Sequence, residues 1–524
     1  MMTPTNATAD DATFVIDREV EFDLLSREVE ARLEGPRREH SVINLYGPDG
    51  IGKSTFLHRI ALPYLRQHAA RLPYALVDFD PAHGGSRYLD EEGQATTHGR
   101  ARLALDLAEQ LAGGGQDGDH LDVAWPEEFR RAVEAWQDNP DEATEDELIY
   151  QFNHSLIPHL IVPAGGSPRP VVILMDTADR LAAKTLEWLQ SELQSPTTPT
   201  GYVLFVVASH SRLECYPFYL RLQFSSHPLG AFGPDAVRQQ IALQAQTYTA
   251  LADEIYHLSY GLPEATRVTV ERLDSLAQAH PELALDELFA AYRGELVGAI
   301  EQLLTRYLAD VADEQLIDGM RILSLVRLFN ISIVNQLLPD LLRSYRGEQY
   351  KPIEPMLFIR RLQGTKLVDW DTVRDGYVIE KPIRQLMAQV LRERRFDLYT
   401  EMHKRALAKY NEWREQSPKR IDYLLEAMYH QATLTLLPGR TETDLAAATV
   451  RLQQFVRQAV DRHYLGAADE HRTLRDELRQ RIESDDDLAI MLGKENRNTL
   501  LYMVDVLADN HAAAVDATEN TLEG

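Results

Sequence analysis

The chain has 524 residues, of which 44% are apolar and 26% are charged. This composition is typical of globular proteins, and at roughly 150 residues per domain the length predicts several cores. The 81 acidic and 54 basic residues give a formal net charge of −27, which disfavours non-specific binding to nucleic-acid phosphates. The single cysteine, Cys215, excludes a disulfide framework and a multi-cysteine metal site, and it indicates a reducing compartment.

No targeting segment is visible in the sequence. The N-terminal residues lack the basic and apolar regions of a signal peptide, and no apolar run approaches the ~18 residues that cross a bilayer. We therefore expect a cytoplasmic protein that makes no membrane contact.

The first part of the chain alternates predicted helices with predicted strands. A loose N-terminus (1–13) precedes a helix over 20–33, and further helices are predicted over 53–70 with a kink at Pro63, over much of 98–160, and over 186–193. Strands are predicted at 41–46, 74–79, 171–175 and 202–208. Continuous apolar runs such as 171–175 are typical of parallel strands buried on both faces. This pattern predicts a doubly wound α/β domain over 14–232.

Beyond residue 232 the strand signal nearly disappears. The pattern predicts a helical domain over 233–310 and a winged-helix domain over 311–395, with its hairpin at 365–370 and 376–379. A helical, TPR-like repeat region is predicted over 396–524 and begins with the helix pair 396–415 and 420–434. The acids Asp485, Asp486 and Asp487 are expected on a solvated helix face, with a partner surface as the alternative.

One motif points to specific chemistry. Residues 47–54 (GPDGIGKS) match G-x-x-x-x-G-K-[ST] without a mismatch, and they lie between a predicted strand and a predicted helix. In such a loop backbone N–H groups face phosphate oxygens, the lysine pairs with the β- and γ-phosphates, and the serine ligates Mg²⁺. The predicted nucleotide contacts are Gly47, Asp49, Gly50, Ile51, Gly52, Lys53, Ser54 and Thr55.

Two later strands end in candidate site residues. Asp176 follows the apolar run 171–175 and is predicted to hold Mg²⁺ together with Ser54. Asp179 is the next carboxylate that can orient an attacking water, and its alternative role is a helix N-cap. Arg212 follows the strand at 202–208 and is predicted to stabilise charge on the γ-phosphate, with a solvated loop arginine as the alternative.

The order of these motifs resembles that of STAND ATPases, which are AAA+-related signal-transduction NTPases of the NACHT and NB-ARC kind. Residues 14–21 (FVIDREVE) resemble the F-x-G-R-E-x-E segment that lies by the nucleotide base, with Asp17 in the place of glycine. Residues 258–263 (LSYGLP) resemble the G-x-P motif, whose proline packs against the nucleotide. The resemblance therefore adds Arg18 and Pro263 to the predicted nucleotide contacts. Glu380 lies where many relatives have a phosphate-sensing histidine, and a carboxylate there would repel phosphate.

The resemblance implies a switch that responds to ATP, ADP and Mg²⁺. It implies that a protein trigger or a ligand binds the C-terminal helices, that the nucleotide is exchanged, and that the chain forms a homo- or hetero-oligomer. Slow ATP hydrolysis would reset the switch. Few residues precede the first motif, so we expect the output to act in trans on a separate effector protein, for example in a bacterial defence pathway.

Two other functions stay open at this stage. A DNA-associated AAA+ regulator is favoured slightly by residues 340–396, which hold 12 basic and 8 acidic residues, a local excess of 12 − 8 = +4. The overall negative charge opposes it, so we expect no nucleic-acid partner. A nucleotide-bound scaffold without hydrolysis is the third possibility, because Thr177 replaces a second acid after Asp176.

Overall fold

The structure is a computed structural model, and it describes thirteen stretches of the chain. They are residues 16–37, 41–68, 72–90, 95–113, 123–163, 166–180, 201–213, 224–309, 311–372, 374–417, 420–437, 441–463 and 468–506, with the backbone alone over 458–463 and 468–475. The chain divides into two compact units, Met1–Ala299 and Ile300–Gly524. Cys215, the predicted loose N-terminus and the predicted helix at 186–193 lie outside the described residues.

The first unit is built around a five-stranded parallel sheet. Its strands are β1 (Val42–Tyr46), β2 (Tyr74–Asp78), β3 (Val171–Asp176), β4 (Val203–Ser209) and β5 (Phe224–Pro228). They lie in the order β2-β3-β4-β1-β5. Every residue of β3 and β4 is buried, as their continuous apolar sequences predict. The α/β class predicted from the sequence is confirmed.

Helices cover the sheet and follow it in the first unit. They are Glu19–Glu34, Lys53–Phe56, Leu62–Gln67, Gly99–Ala112, Glu127–Asp138, Glu142–Gln151, Ile157–Ile161, Pro234–Ala245, Ala252–Ser259, Pro263–Ala279, Leu285–Ala291 and Arg293–Tyr307, the last of which continues into the second unit. The core on one side of the sheet joins Val77, Ile173 and Phe205 to Leu107 and Phe129. Burial of such side chains stabilises the unit by about 25 cal/mol per Å² of apolar area.

The helix after β1 is irregular. A π-helical turn, Leu57–Ala61, separates its two α-helical parts, and Pro63 lies in the first turn of the second part. Proline has no N–H to donate and cannot continue an ordinary helical hydrogen-bond ladder. The helix is therefore interrupted close to Pro63, where the sequence predicts a kink. The wider π-helical turn just before Pro63 accommodates the loss of the hydrogen bond that proline cannot donate.

The sequence did not predict β5. Its residues are polar or half-exposed, and it pairs with β1 alone at the edge of the sheet. An edge strand buries little side-chain area, so it lacks the apolar run that identifies a central strand.

The second unit is mainly helical. Its helices are Glu314–Leu323, Ile331–Gln336, Leu338–Arg346, Pro355–Gly364, Lys381–Arg394, Phe396–Gln416, Ile421–Leu436, Glu442–His463, Ala468–Glu483, Asp486–Leu492 and 494–506. The predicted hairpin is present as β6 (Val368–Asp371) and β7 (Gly376–Ile379), which pair antiparallel. The predicted pair of long helices, Phe396–Gln416 and Ile421–Leu436, pack against each other. The winged-helix name for residues 311–395 stays a prediction.

The acids at 485–487 are not a solvated face. Asp485 lies 2.5 Å from Arg327, Asp486 2.8 Å from Lys381 and Asp487 2.6 Å from Arg384. Only the side chain of Asp486 is largely exposed. This corrects the sequence-based expectation, because the basic partners lie about 100 or more residues away along the chain and their pairing has no local signal.

Two histidines are buried between the long helices of the second unit. His403 and His430 are both inaccessible to solvent, and their Nδ1 atoms lie 2.7 Å apart. Burial, together with the charges on Arg384 and Arg392, lowers the pKa of His403 to about 3. Burial likewise lowers the pKa of His430. Both rings are therefore neutral at pH 7, with one donating a hydrogen bond to the other.

Across the described stretches, no helix combines the length and the apolar character that crossing a membrane requires.

Candidate functional site

The phosphate loop begins where β1 ends, at the carboxyl edge of the sheet. β1 lies between β4 and β5. After β1 the chain forms β2, β3 and β4 on one side of it, and it then crosses to form β5 on the opposite side. Open α/β sheets bind ligands at such a reversal of strand order. In the loop itself, Gly50 and Gly52 have φ angles of +74° and +102°. Residues that carry a Cβ rarely adopt these backbone angles, so the glycines allow the backbone to curl before the helix that begins at Lys53.

The side chain of Lys53 stabilises the curled conformation of this loop. Its Nζ donates hydrogen bonds to the carbonyl oxygens of Gly47 at 2.8 Å and Pro48 at 3.0 Å, and it lies 3.8 Å from Oδ1 of Asp49. The lysine side chain is about 10% exposed. An ammonium group at the centre of a loop rich in backbone N–H groups is suited to bind a phosphate.

Asp176 ends β3 beside the start of this helix. The residue is 1% exposed, and its Oδ1 accepts the Thr177 N–H at 2.9 Å. Burial raises the pKa of Asp176, but His58, the Ser54 hydroxyl and the Thr177 amide lower it more, and the net pKa lies below its ordinary value. The carboxylate is thus ionised at neutral pH. Ser54 and Asp176, the two predicted metal ligands, are brought together.

Thr177 connects two carboxylates by way of an unusual backbone. Its φ is +56°, which is strained for a β-branched residue and costs about 1–3 kcal/mol. In this conformation its N–H binds Asp176 and its hydroxyl donates to Oδ1 of Asp78 at 3.1 Å. Asp78 ends β2 and is the register partner of Asp176. Thr177, which stands where a second acid was expected after Asp176, therefore orients the carboxylates of Asp176 and Asp78.

Asp179 lies near the end of β4. Its Oδ1 accepts the backbone N–H of His210 at 3.1 Å, and Nδ1 of His210 lies 3.5 Å from Oδ1 of Asp49. These contacts bring β3, β4 and the phosphate loop together. Arg212 is exposed two residues further on. Both roles of Arg212 stay predictions.

Arg18, which the resemblance adds to the predicted nucleotide contacts, is buried and makes its contacts within the protein. Its Nη2 donates to the carbonyl oxygens of Ile51 and Gly230, each at 2.9 Å, and its guanidinium lies 4.7 Å from the ring centre of Phe232. Burial lowers its pKa. Arg18 therefore ties the phosphate loop to the segment after β5. The preceding Asp17 has a φ of +53°, which explains why glycine is usual at that place.

The segment around Pro263 contacts the phosphate loop through its backbone. Pro263 begins the helix Pro263–Ala279, and the next residue, Glu264, donates its N–H to the carbonyl of Gly50 at 3.2 Å. Gly261 has a φ of +72°, and a Cβ on it would lie 2.0 Å from the carbonyl oxygen of Phe232. The glycine and proline of the G-x-P motif thus have separate roles: close approach and helix initiation.

The structure places the predicted residues of the phosphate loop with Ser54, Asp176 and Asp179 at one edge of the sheet. The sequence analysis missed two neighbours, His58 and Asp78. His58 Nε2 lies 3.6 Å from Oδ2 of Asp176. A polar residue at the end of β2 was a usable signal for Asp78, because parallel strands end at the same edge. No local signal marks His58. Glu380 precedes the helix Lys381–Arg394 in the second unit.

A parallel sheet with this loop after β1 and an ionised carboxylate after β3 defines a P-loop nucleotide-binding domain. Residues 15–206 match a family model described as the AAA ATPase domain. The matched residues lie within the first unit and include the phosphate loop, Asp176 and Asp179. No curated protein matches the chain.

Three solved structures illustrate what the chain is similar to. The ORC2 protein of Aeropyrum pernix, solved in ADPNP-ADP complexes, is 14% identical over 75% of this chain and 96% of that chain, with a TM-score of 0.41. The RuvB Holliday junction branch migration motor of Thermotoga maritima is 13% identical over 70% and 92%, with a TM-score of 0.33. A STAND protein with a tetratricopeptide repeat sensor from Pyrococcus horikoshii is 14% identical over 95% and 56%, with a TM-score of 0.26.

Proposed function

We propose that this chain is an ATP/ADP-dependent signalling switch of the STAND type. In this proposal the phosphate loop binds the nucleotide, the helices after residue 232 respond to its phosphate state, and the C-terminal helices receive a protein trigger. The active form is an oligomer that acts on a separate effector protein, in a bacterial defence pathway.

The observation that carries the proposal is the hydrogen bond from Glu264 N–H to the carbonyl of Gly50. It joins the phosphate loop to the first turn of the helix Pro263–Ala279 without an intervening side chain. Arg18 adds a second connection, from Ile51 to Gly230. A change in the loop on binding a γ-phosphate therefore changes the contacts of the helical region directly. A ligand shifts a conformational equilibrium only through such differential contacts.

The residues of the site have distinct roles in this proposal. Lys53 pairs with phosphate oxygens, and Ser54 and Asp176 hold Mg²⁺. Bound Mg²⁺ would neutralise charge that develops on the phosphates during transfer. Asp179, fixed by the backbone of His210, orients the attacking water, and Arg212 stabilises negative charge at the same edge of the sheet.

The test combines nucleotide identity, turnover and native mass. We expect purified chain to contain ADP, to hydrolyse ATP slowly, and to have a larger native mass with a non-hydrolysable ATP analogue than with ADP. Asp179→Ala should abolish turnover, whereas Asp235→Ala, at a 94% exposed carboxylate, should not change it. A chain that binds no nucleotide would overturn the proposal. Bound nucleotide with no turnover in either protein would favour the scaffold instead.

A DNA-binding role gains no support from residues 340–396. At least seven of their 12 basic side chains lie within 4 Å of a carboxylate of the second unit. The seven are Arg343, Arg346, Arg361, Arg374, Lys381, Arg384 and Arg394. Paired cations contribute less to phosphate binding than free ones, because binding must first break the internal pair. Anisotropy titration with duplex DNA across salt concentrations tests this role.

A further inference from the structure

Three side chains with metal-ligating atoms lie together beside the phosphate loop. His58 comes from the π-helical turn, Asp78 from the end of β2 and Asp176 from the end of β3. One ligand atom of each residue lies within 4.8 Å of the other two. The cluster combines one imidazole nitrogen with two carboxylates. Only Asp176 belongs to the predicted nucleotide site, so His58 and Asp78 have no role in the proposed function.

The side chain of Asp176 has an acceptor available for a further ligand. This side chain is 2% exposed, and Oδ2 accepts no hydrogen bond within 3.5 Å. Nε2 of His58 lies 3.6 Å from this oxygen. A buried ionised oxygen without a donor is costly, and native proteins rarely retain one without a functional reason. A cation between Oδ2 and the imidazole would satisfy it.

The second carboxylate is oriented by neighbours that are not themselves in the cluster. Oδ1 of Asp78 accepts the N–H of Asp80 at 2.9 Å and the Thr177 hydroxyl at 3.1 Å. Oδ2 lies 2.6 Å from Nδ1 of His83. Hydrogen bonds of this kind fix the orientation of metal-ligating carboxylates and tune the site.

An ion pair between His58 and Asp176 does not account for the whole cluster. Asp78 and Asp176 are register partners on adjacent strands, and two neighbouring carboxylates repel each other. An imidazole neighbours each carboxylate, His58 at 3.6 Å from Asp176 and His83 at 2.6 Å from Asp78, but neither lies between the two. A divalent cation neutralises both carboxylates while the imidazole of His58 stays neutral and ligates it.

We propose that His58, Asp78 and Asp176 form a three-ligand site for a divalent transition-metal ion that binds in the absence of nucleotide. Imidazole nitrogen suits ions such as Mn²⁺, Co²⁺ and Zn²⁺ better than Mg²⁺, which prefers oxygen ligands alone. Ligands about 2.1 Å from an ion lie at most about 4.2 Å apart. A pair of ligand atoms 4.8 Å apart therefore needs to approach by at least about 4.8 − 4.2 = 0.6 Å, and the 41% exposed side chain of His58 has room to move.

The test uses Mn²⁺ alone with the full chain, stripped of nucleotide. Electron paramagnetic resonance of free Mn²⁺ gives the stoichiometry, and pulsed measurements detect coupling to ligand nitrogen. We expect one Mn²⁺ per chain with nitrogen coupling. His58→Gln should remove the coupling and weaken Mn²⁺ binding at least 10-fold, and Asp78→Asn and Asp176→Asn should weaken it similarly.

The matched control is His154→Gln. His154 lies in a second π-helical turn, Phe152–Leu156, where its ring contacts the Tyr150 carbonyl, and the variant should leave Mn²⁺ binding unchanged. Wild-type Mn²⁺ binding without nitrogen coupling, or only when ATP is added, would overturn the proposal without any variant having to fold. Lys53→Ala separates the two proposals, because it should lose nucleotide and keep Mn²⁺. Wild type that binds nucleotide but not free Mn²⁺ would contradict this inference alone.

Discussion

Arg384 and Asp487 form an ion pair inside the second unit, with Nη2 of the arginine 2.6 Å from Oδ2 of the aspartate. Burial would raise the pKa of Asp487, but the charges on Arg384, Arg327 and Lys381 outweigh it and lower the pKa. The pair connects the helix after the hairpin to the helix Asp486–Leu492. Both groups are therefore charged where they are largely shielded from water.

Asp487→Asn should destabilise the second unit by about 3–5 kcal/mol, because it leaves a buried guanidinium without its counter-charge. Asp486→Asn removes an equal charge at the neighbouring position, where the carboxylate is 71% exposed. It should destabilise the unit by at most about 1 kcal/mol. Hydrogen exchange of the helices Ile421–Leu436 and Asp486–Leu492 measures the second unit alone. Equal effects of the two variants would contradict the buried pair.

Acid should weaken the second unit through His403 and His430. Their pKa values are lowered in the folded chain and are about 6.5 when unfolded. Below pH 6.5 the unfolded chain binds protons that the folded chain does not, so the free energy of unfolding falls as pH falls. Above pH 6.5 this loss is absent. The decrease is about 1.4 kcal/mol per pH unit for each histidine.

The double variant His403→Asn/His430→Asn isolates this contribution, since the acids of the second unit titrate in both proteins. Asparagine keeps an N–H and an acceptor but does not ionise in this range. Denaturant unfolding of the second unit between pH 4 and 8 should give a shallower acid slope for the variant. Identical slopes would show that the histidines are protonated in the folded state.

Gly261→Ala should destabilise the first unit. Left-handed backbone strain costs about 1–3 kcal/mol, and the added Cβ would collide with the carbonyl of Phe232. Gly294→Ala is the control, because nothing lies within 4 Å of its Cβ position and alanine favours a helix by about 0.5–1 kcal/mol. Thermal unfolding should shift down for the first variant and not for the second.

Lys53→Ala should abolish nucleotide binding and leave the chain folded. The loop loses the ammonium that pairs with phosphates, while the sheet and its core stay unchanged. Arg59→Ala removes an exposed cation from the same helical segment and should bind nucleotide as the wild type does. A fluorescent ADP analogue measures affinity, and circular dichroism checks the fold. Unchanged affinity in Lys53→Ala would refute the assignment of the phosphate site.

The sequence predicted those elements whose signal is local. β3 and β4 are apolar because both of their faces are buried, and the phosphate loop has a fixed spacing. β5 was missed because Ser225, Ser226 and His227 contribute no apolar run at the sheet edge. An edge strand of this kind forms because its backbone pairs with a neighbouring strand, here β1.

The same distinction applies to side chains. Ser54 and Asp176 were predicted from their motifs, and the structure brings them together. The contacts of Arg18 with Ile51 and Gly230, and of Asp485 with Arg327, depend on tertiary packing between distant segments. Sequence patterns identify charged residues but not their partners, which explains why the acids at 485–487 were misjudged.

In the π-helical turn Leu57–Ala61, the number of residues matters as much as their type. The turn contains one residue more than ordinary α-helical spacing would require. Deleting the extra residue would convert the turn to ordinary α-helix and keep the flanking segments in phase, but it would change the direction of the side chains within the turn, including His58. An alignment to a relative with a regular helix therefore needs a one-residue gap at this turn, and without the gap it would pair the wrong residues on one side of it.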